Sequence, residues 1–263
     1  MRDQISSSRE RLQILQKSSE ELASQATTYR GLATLGITAA TFGHETEITL
    51  DSCLASINTA YALLAAGPSS SPEALEELAK AIEYGKRISA WGAFALKRVR
   101  RDKRQKRRGN ITQLITELVR GLKPAFSASQ ITIRETYDAV EGETFPMDVE
   151  SVALNLLTNA YYFSKLSKKQ RIVSVSLKNA VRDSDKGFEL IVGDSGPGVR
   201  ATIRGQIWEP LFSTKVDNEG RPFGTGLGLS IVDSVVKDIG GTKSLDSDPR
   251  LNGARFKVWL KFQ

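Results

Sequence analysis

The sequence predicts a protein of two parts, an all-helical region followed by an α/β sandwich. Three observations predict it. The 263 residues fit two domains of ordinary size. Residues 1–107 carry helical periodicity broken once by a turn signal, GPSSSP at 67–72. After Gly109 helical and strand patterns mix over the remaining length, which is the texture of one α/β sandwich domain. The expected boundaries are a coiled-coil helix over 1–30, a helical hairpin over 31–108 and the sandwich over 109–263.

The first helix shows two heptad columns: Ile5, Leu12, Ser19, Ala26 and Ala33, and Ser8, Leu15, Leu22, Tyr29 and Gly36. Serine and glycine make the seam leaky, so it reads as a weak coiled coil. Small residues follow in GLATLGITAATFGHE, where two helices can approach closely. A helical stretch then runs from about Ile48 to Ala66 through Leu50, Leu54, Ile57, Tyr61 and Leu64. Beyond the turn, Ser71 can cap and Pro72 can open a helix whose first position needs no N–H. That helix carries Leu75, Leu78, Ala79, Ile82, Ile88, Trp91, Ala95 and Val99. A lone hairpin buries too little apolar surface, and four helices from two chains solve this, so a homodimer is expected.

In the second part Asn110 is placed to cap a helix with the apolar face Ile111, Leu114, Ile115, Leu118, Val119 and Leu122, ending near Pro124. Strands are expected at about 131–136, 171–180, 188–193 and 254–261, with helices at about 147–165 and 227–238.

Composition excludes several classes. One cysteine, Cys53, cannot form an internal disulfide, and one histidine, His44, is too few for a histidine-based metal site. No run of about 18 apolar residues occurs, and MRDQISSSRERLQ has no apolar signal-peptide core. A cytoplasmic chain without a membrane segment is expected. The net charge of +7 has a single source: Lys97–Arg108 (KRVRRDKRQKRR) holds nine basic residues and one acidic, leaving −1 for the rest. A solvated helix end or linker explains that run more simply than a nucleic-acid surface, since no aromatic-interleaved platform accompanies it.

Four segments of the second part carry chemistry. Asn155-Leu-Leu-Thr-Asn159-Ala160 places two amides four residues apart on one helix face. Neutral carbonyl oxygens suit a partly hydrated Mg²⁺ shared with phosphates, although amides on a solvated face explain this pair alone more simply. Asp194-Ser-Gly196-Pro-Gly198 follows a strand; its carboxylate can accept a bond from a base amino group, and an ordinary turn is the competing reading. Gly224-Thr225-Gly226-Leu227-Gly228-Leu229 opens a helix and can cradle phosphate with exposed N–H groups. It follows no predicted strand and lacks the Walker lysine, which argues against dinucleotide and P-loop sites. Ile207-Trp-Glu-Pro-Leu-Phe212-Ser-Thr-Lys215 joins an apolar anchor to a hydroxyl pair and a cation, between the glycine motifs, where a lid is expected.

In this order and spacing the set resembles the N, G1, F and G2 boxes of the GHKL ATPase superfamily, in its sensor histidine kinase branch. Gly253-Ala254-Arg255-Phe256 is similar to that branch's closing element, and Phe42-Gly43-His44-Glu45 resembles its phosphoacceptor box. The resemblance covers about residues 30–263. It implies a Bergerat-type ATP-binding sandwich behind a hairpin that forms a four-helix bundle in the dimer. It further implies ATP and Mg²⁺ as cofactors, with Asn159 as the magnesium asparagine and Asn155 assisting. Asp194 would read the adenine amino group beside Gly196 and Gly198, Phe163 would line the base pocket, and Gly224 to Leu229 would wrap the phosphates. His44 would accept the γ-phosphoryl group, with Glu45 as the neighbouring base. Asn155 stands where chaperone and gyrase-type members resemble one another in having a glutamate that activates water, which favours transfer over hydrolysis.

The implied function is an ATP-dependent protein histidine kinase that passes its phosphoryl group to an aspartate of a response regulator on another chain. The alternative is an ATP-gated scaffold or pseudokinase without phosphotransfer. Input is expected from a partner protein or from another part of a longer protein. Two departures matter. Ile48 stands four residues after His44, where the family often has Asn or Thr, and Thr49 replaces the usual proline. Tyr162 stands three residues after Asn159, where the family often has a basic residue, which leaves Lys165 or Lys215 to supply that charge.

Overall fold

The computed structural model describes residues 46–47, 49–67, 71–97, 105–216, 220 and 224–263, with the single positions 11, 15, 18, 25, 29, 33, 36 and 43. Those single positions are helical, as are residues 49–66, here α1. Most of the heptad seam, and His44, Glu45 and Ile48, lie outside the described residues. Of the seam positions that are described, Leu15 and Tyr29 are exposed and Ala33 packs against the core of the second part.

Helix α1 ends at Gly67, which adopts a φ of +127° and donates its N–H to the Leu64 carbonyl. Helix α2 spans Ser71–Lys97 and starts at the serine expected to cap it, with Pro72 in the first turn, where its missing N–H costs nothing. The buried residues of the two helices are small: Thr49, Ser56 and Ala60 on α1, Ala74 and Ala81 on α2. The Cys53 thiol of α1 donates to the Ala81 carbonyl of α2 at 3.4 Å. Leu50, Leu54, Ile57, Tyr61 and Leu64 of α1 and Leu75, Leu78 and Ile82 of α2 are all exposed.

The second part opens with β1 (Arg107–Asn110) and α3 (Ile111–Ala128). Asn110 Oδ1 accepts the Gln113 N–H at 2.8 Å and so satisfies one of the helix's unpaired donors. Asn110→Ala is expected to lower the stability of this domain by about 1 kcal/mol, read as a lower urea midpoint with an unchanged slope. The helix does not end near Pro124, as the sequence predicts, but continues four residues past it. The carbonyl that Pro124 leaves unpaired belongs to exposed Arg120, where water can replace the bond, and buried Ala125 and Phe126 hold the last turn in the core.

The chain continues through β2 (Thr132–Tyr137), β3 (Glu141–Thr144), α4 (Pro146–Lys165), β4 (Ile172–Arg182) and β5 (Asp185–Asp194). Two 3₁₀ turns follow, Ala201–Ile203 and Gln206–Trp208, then α5 (Gly228–Ile239), β6 (Thr242–Ser247) and β7 (Ala254–Lys261). Five strands form one sheet in the order β2-β4-β5-β7-β6, with only the β2–β4 pair parallel. Alternate residues of β4, β5 and β7 (Val173, Val175 and Leu177; Phe188, Leu190 and Val192; Phe256, Val258 and Leu260) share one face and form a single core with α3, α4 and α5.

Strands β1 and β3 form a separate antiparallel ribbon, in which Arg107 faces Thr144 and Arg108 faces Glu143. Lys106 pairs with Glu143 at 3.4 Å. The described end of the basic run therefore lies along a strand that carries Glu141 and Glu143.

Candidate functional site

One cavity of about 320 Å³ gathers residues from all four chemistry-bearing segments. Helix α4 supplies Asn159 and Phe163, the end of β5 Asp194, and the turn beyond it Gly198. Phe212, Ser213, Thr214 and Lys215 form a further wall, and Gly224, Thr225, Gly226, Gly228 and Leu229 close it at the start of α5. The apolar walls include Val199, Ile203, Ala254 and Phe256. The Trp208 ring meets Phe256 edge-on at 5.8 Å, and the Lys243 ammonium lies over that indole at 4.6 Å.

Asp194 is the buried polar anchor. Its Oδ1 accepts the Gly196 N–H at 2.8 Å and the Ala254 N–H at 3.3 Å, which fixes the carboxylate at the strand end. Burial pushes its carboxyl up to about 6; the two N–H donors pull the other way and Asp248 adds to the rise. A Cβ on Gly196 would lie 2.6 Å from the Phe163 carbonyl, so this position requires the close backbone approach that glycine allows. Gly196 shapes the site from behind and does not line the cavity.

The glycine segment bends before it becomes helix. Gly224 and Gly226 adopt φ of +100° and +64°, and α5 begins only at Gly228. Leu227 turns inward to pack against the core, so it alone of the six residues 224–229 does not line the cavity. The N-terminus of α5, at Gly228 and Leu229, thus lies in the wall of the cavity that Asn159 and Lys215 also line.

The two asparagines of α4 separate. Asn159 lines the cavity, whereas Asn155 lies behind it, 1 % exposed, with its Nδ2 donating to the Ser151 carbonyl. Asn155 Oδ1 has no hydrogen-bond partner among the described residues and lies 3.0 Å from where a Gly228 Cβ would stand. A buried amide oxygen left unpaired beside a helix N-terminus, with a second amide in the cavity, fits a magnesium-bearing phosphate group by donor type. Among the described residues no cluster of three His, Cys, Asp or Glu could hold a metal ion by itself.

The two candidate cations also separate. Lys215 lines the cavity, while the Lys165 ammonium lies over the Tyr161 ring at 5.3 Å, outside the cavity wall. His44 and Glu45 lie outside the described residues, as do 217–219 and 221–223 of the expected lid.

Residues 145–263 match the family model described as "Histidine kinase-, DNA gyrase B-, and HSP90-like ATPase". The chain is 32% identical over 131 residues to the sensor histidine kinase ZraS of Escherichia coli O157:H7, covering 50% of this chain and 25% of that protein. It is 33% identical over 115 residues to the sensor histidine kinase CpxA of Escherichia coli strain K12, covering 44% and 23%. The matches thus span about a quarter of these relatives' length. The catalytic domain of histidine kinase ThkA shares the fold, at 22% identity and a TM-score of 0.50 over 60% of this chain and 97% of that one. Among the described residues no helix is long and apolar enough to cross a membrane. The sandwich of this chain is thus similar to the histidine kinase-, DNA gyrase B- and HSP90-like ATPases, and within them to sensor histidine kinases.

Proposed function

We propose that the protein is an ATP-dependent histidine kinase that phosphorylates itself on His44 and passes the phosphoryl group to an aspartate of a separate response regulator. One observation carries the reading: a single cavity joins a buried carboxylate, an asparagine, a lysine and a glycine-lined helix N-terminus from four distant segments. An adenine base fits the Asp194 end, where the carboxylate accepts the exocyclic amino group and Phe163 and Phe256 flank the ring. The phosphates fit the opposite end, against the N–H groups of Gly226–Leu229 and the Lys215 ammonium. Asn159 would hold Mg²⁺, with Asn155 behind it; the ion neutralises phosphate charge when bound.

In the transfer itself, an imidazole nitrogen of His44 attacks the γ-phosphorus, the bond to the ADP oxygen breaks, and Glu45 takes the imidazole proton. The similarity to sensor histidine kinases supports this class of reaction. The exposed heptad stripe of α1 and the apolar side chains of α2 support a homodimer, because a second copy would remove eight large side chains from water. Leu54→Glu together with Ile57→Glu is expected to shift the protein to monomer in sedimentation, with the sandwich still folded.

The test is incubation with Mg²⁺ and γ-labelled ATP beside His44→Ala and Asn159→Ala. With one histidine in the chain, acid-labile and alkali-stable label absent from both variants is the expected result. Binding of ATP without any label on His44 would sink the kinase reading in favour of an ATP-gated scaffold.

A further inference from the structure

The residue three places after Asn159 is Tyr162, and its hydroxyl reaches across to a segment 54 residues away. It donates to the Val216 carbonyl at 2.6 Å and accepts the Val216 N–H at 2.9 Å. One phenol thus holds both main-chain polar groups of a single residue. The same ring lies beneath the Lys215 ammonium, 5.3 Å from its centroid, and Phe163 meets it edge-on at 5.0 Å. Tyr162 does not line the cavity, but Lys215 and Phe163 on either side of it do.

These contacts set where a charge sits. Helix α4 carries Asn159 in the cavity, so a residue of α4 that holds Lys215–Val216 fixes the lysine relative to that asparagine. Lys215 also borders the glycine wall, since a Cβ on Gly224 would lie 3.4 Å from its Cδ. The lysine side chain therefore lies beside the glycine wall, with its ammonium over the Tyr162 ring. A cation over an aromatic face, on a main chain tied at the next residue, is preorganised and loses less freedom when an anion arrives.

We propose that Tyr162 is a positioning residue that places the Lys215 charge against the polyphosphate of a nucleotide. It acts through the lysine and main chain of another segment, where the family often carries a basic side chain directly. The proposal rests on the nucleotide reading above and adds a discrimination: Tyr162 acts on phosphate binding and leaves binding of the base unchanged.

The experiment titrates Mg²⁺-ATP and adenosine separately against the full chain, Tyr162→Phe, Lys215→Gln and the double variant. Tyr162→Phe keeps the ring and loses both bonds to Val216. It should weaken ATP by about tenfold while leaving adenosine within about twofold. Lys215→Gln should do the same, and the double variant should be little weaker than the worse single one, because both changes remove one placed charge. ATP affinity unchanged in Tyr162→Phe overturns the proposal, as does an equal loss for adenosine or fully additive losses. Wild-type protein that binds adenosine but gains nothing from the phosphates also overturns it. Wild-type protein that binds neither ligand defeats the nucleotide reading itself, a different result from any of these.

Discussion

Asp194→Asn is expected to abolish adenine-nucleotide binding and at the same time to stabilise the ligand-free sandwich at neutral pH. Both effects follow from one carboxylate, 2 % exposed, whose pKa stands at about 6 instead of 3.8. The folded state holds the proton more tightly than the unfolded chain does. Stability contributed by the protonated form is therefore complete below about pH 4 and is lost as pH rises toward 6. Above that the folded protein carries a buried charge at a cost of about 3 kcal/mol.

Asparagine keeps an oxygen for the Gly196 and Ala254 N–H groups and carries no charge. The difference in melting temperature between Asp194→Asn and wild type should thus be small at pH 4 and grow by several degrees up to pH 7. The same amide would point donors at an adenine amino group that also donates. A loss of affinity on the order of a hundredfold is expected, read by calorimetry with ATP at pH 7.5. A melting-temperature difference that stays flat between pH 4 and 7 would remove the buried-charge account. Undiminished ATP binding would remove Asp194 from the base-reading role.

The contrast between Asp194 and Tyr162 explains how much the sequence could tell. Asp194 lies in a compact local motif, and its neighbours Gly196 and Gly198 announce a tight backbone beside it. The helices with strong apolar periodicity, α3 and α5, and the alternating strands β4 and β7 were legible for the same reason, since burial on one face writes a period into the chain. Strand β1 is exposed at all four residues and β3 at two of its four, so neither carries a period to read. The continuation of α3 past Pro124 depends on which carbonyl is solvated, a fact of tertiary position.

Within the site, Val199 and Ile203 belong to no motif; Val199 follows directly on Gly198, and Ile203 reaches the cavity from the first 3₁₀ turn. The four-residue spacing predicts Asn155 and Asn159 on one helix face, and the resemblance implies that Asn155 assists Asn159. That spacing puts them on one side of the helix, but the glycine segment covers the first and leaves the second open. The bond from Tyr162 to Val216 spans 54 residues and had no local signal beyond the absence of an expected cation.

Gly226→Ala is expected to cost at least tenfold in ATP affinity while leaving the sandwich folded. Gly226 adopts a φ of +64°, where an alanine is disfavoured by about 1 kcal/mol, and its Cβ would collide with the backbone of Leu211. The atoms of Leu211 that this Cβ meets are main chain, so no side-chain rotation relieves the contact, and Leu211 is itself left-handed at φ +67°. Relief must come from moving the chain on either side, and on one side that chain is Phe212 to Lys215, which lines the cavity. One added methyl group therefore displaces both the glycine wall and the lysine that faces it. Gly205→Ala is the matched control, because a Cβ there meets nothing within 4 Å, and it should bind ATP like wild type. If Gly226→Ala binds ATP as tightly as Gly205→Ala at equal melting temperature, the glycine wall is not the phosphate end of the cavity. If it fails to fold, Gly226→Asn separates the two demands, since asparagine tolerates left-handed φ but keeps the Cβ that meets Leu211.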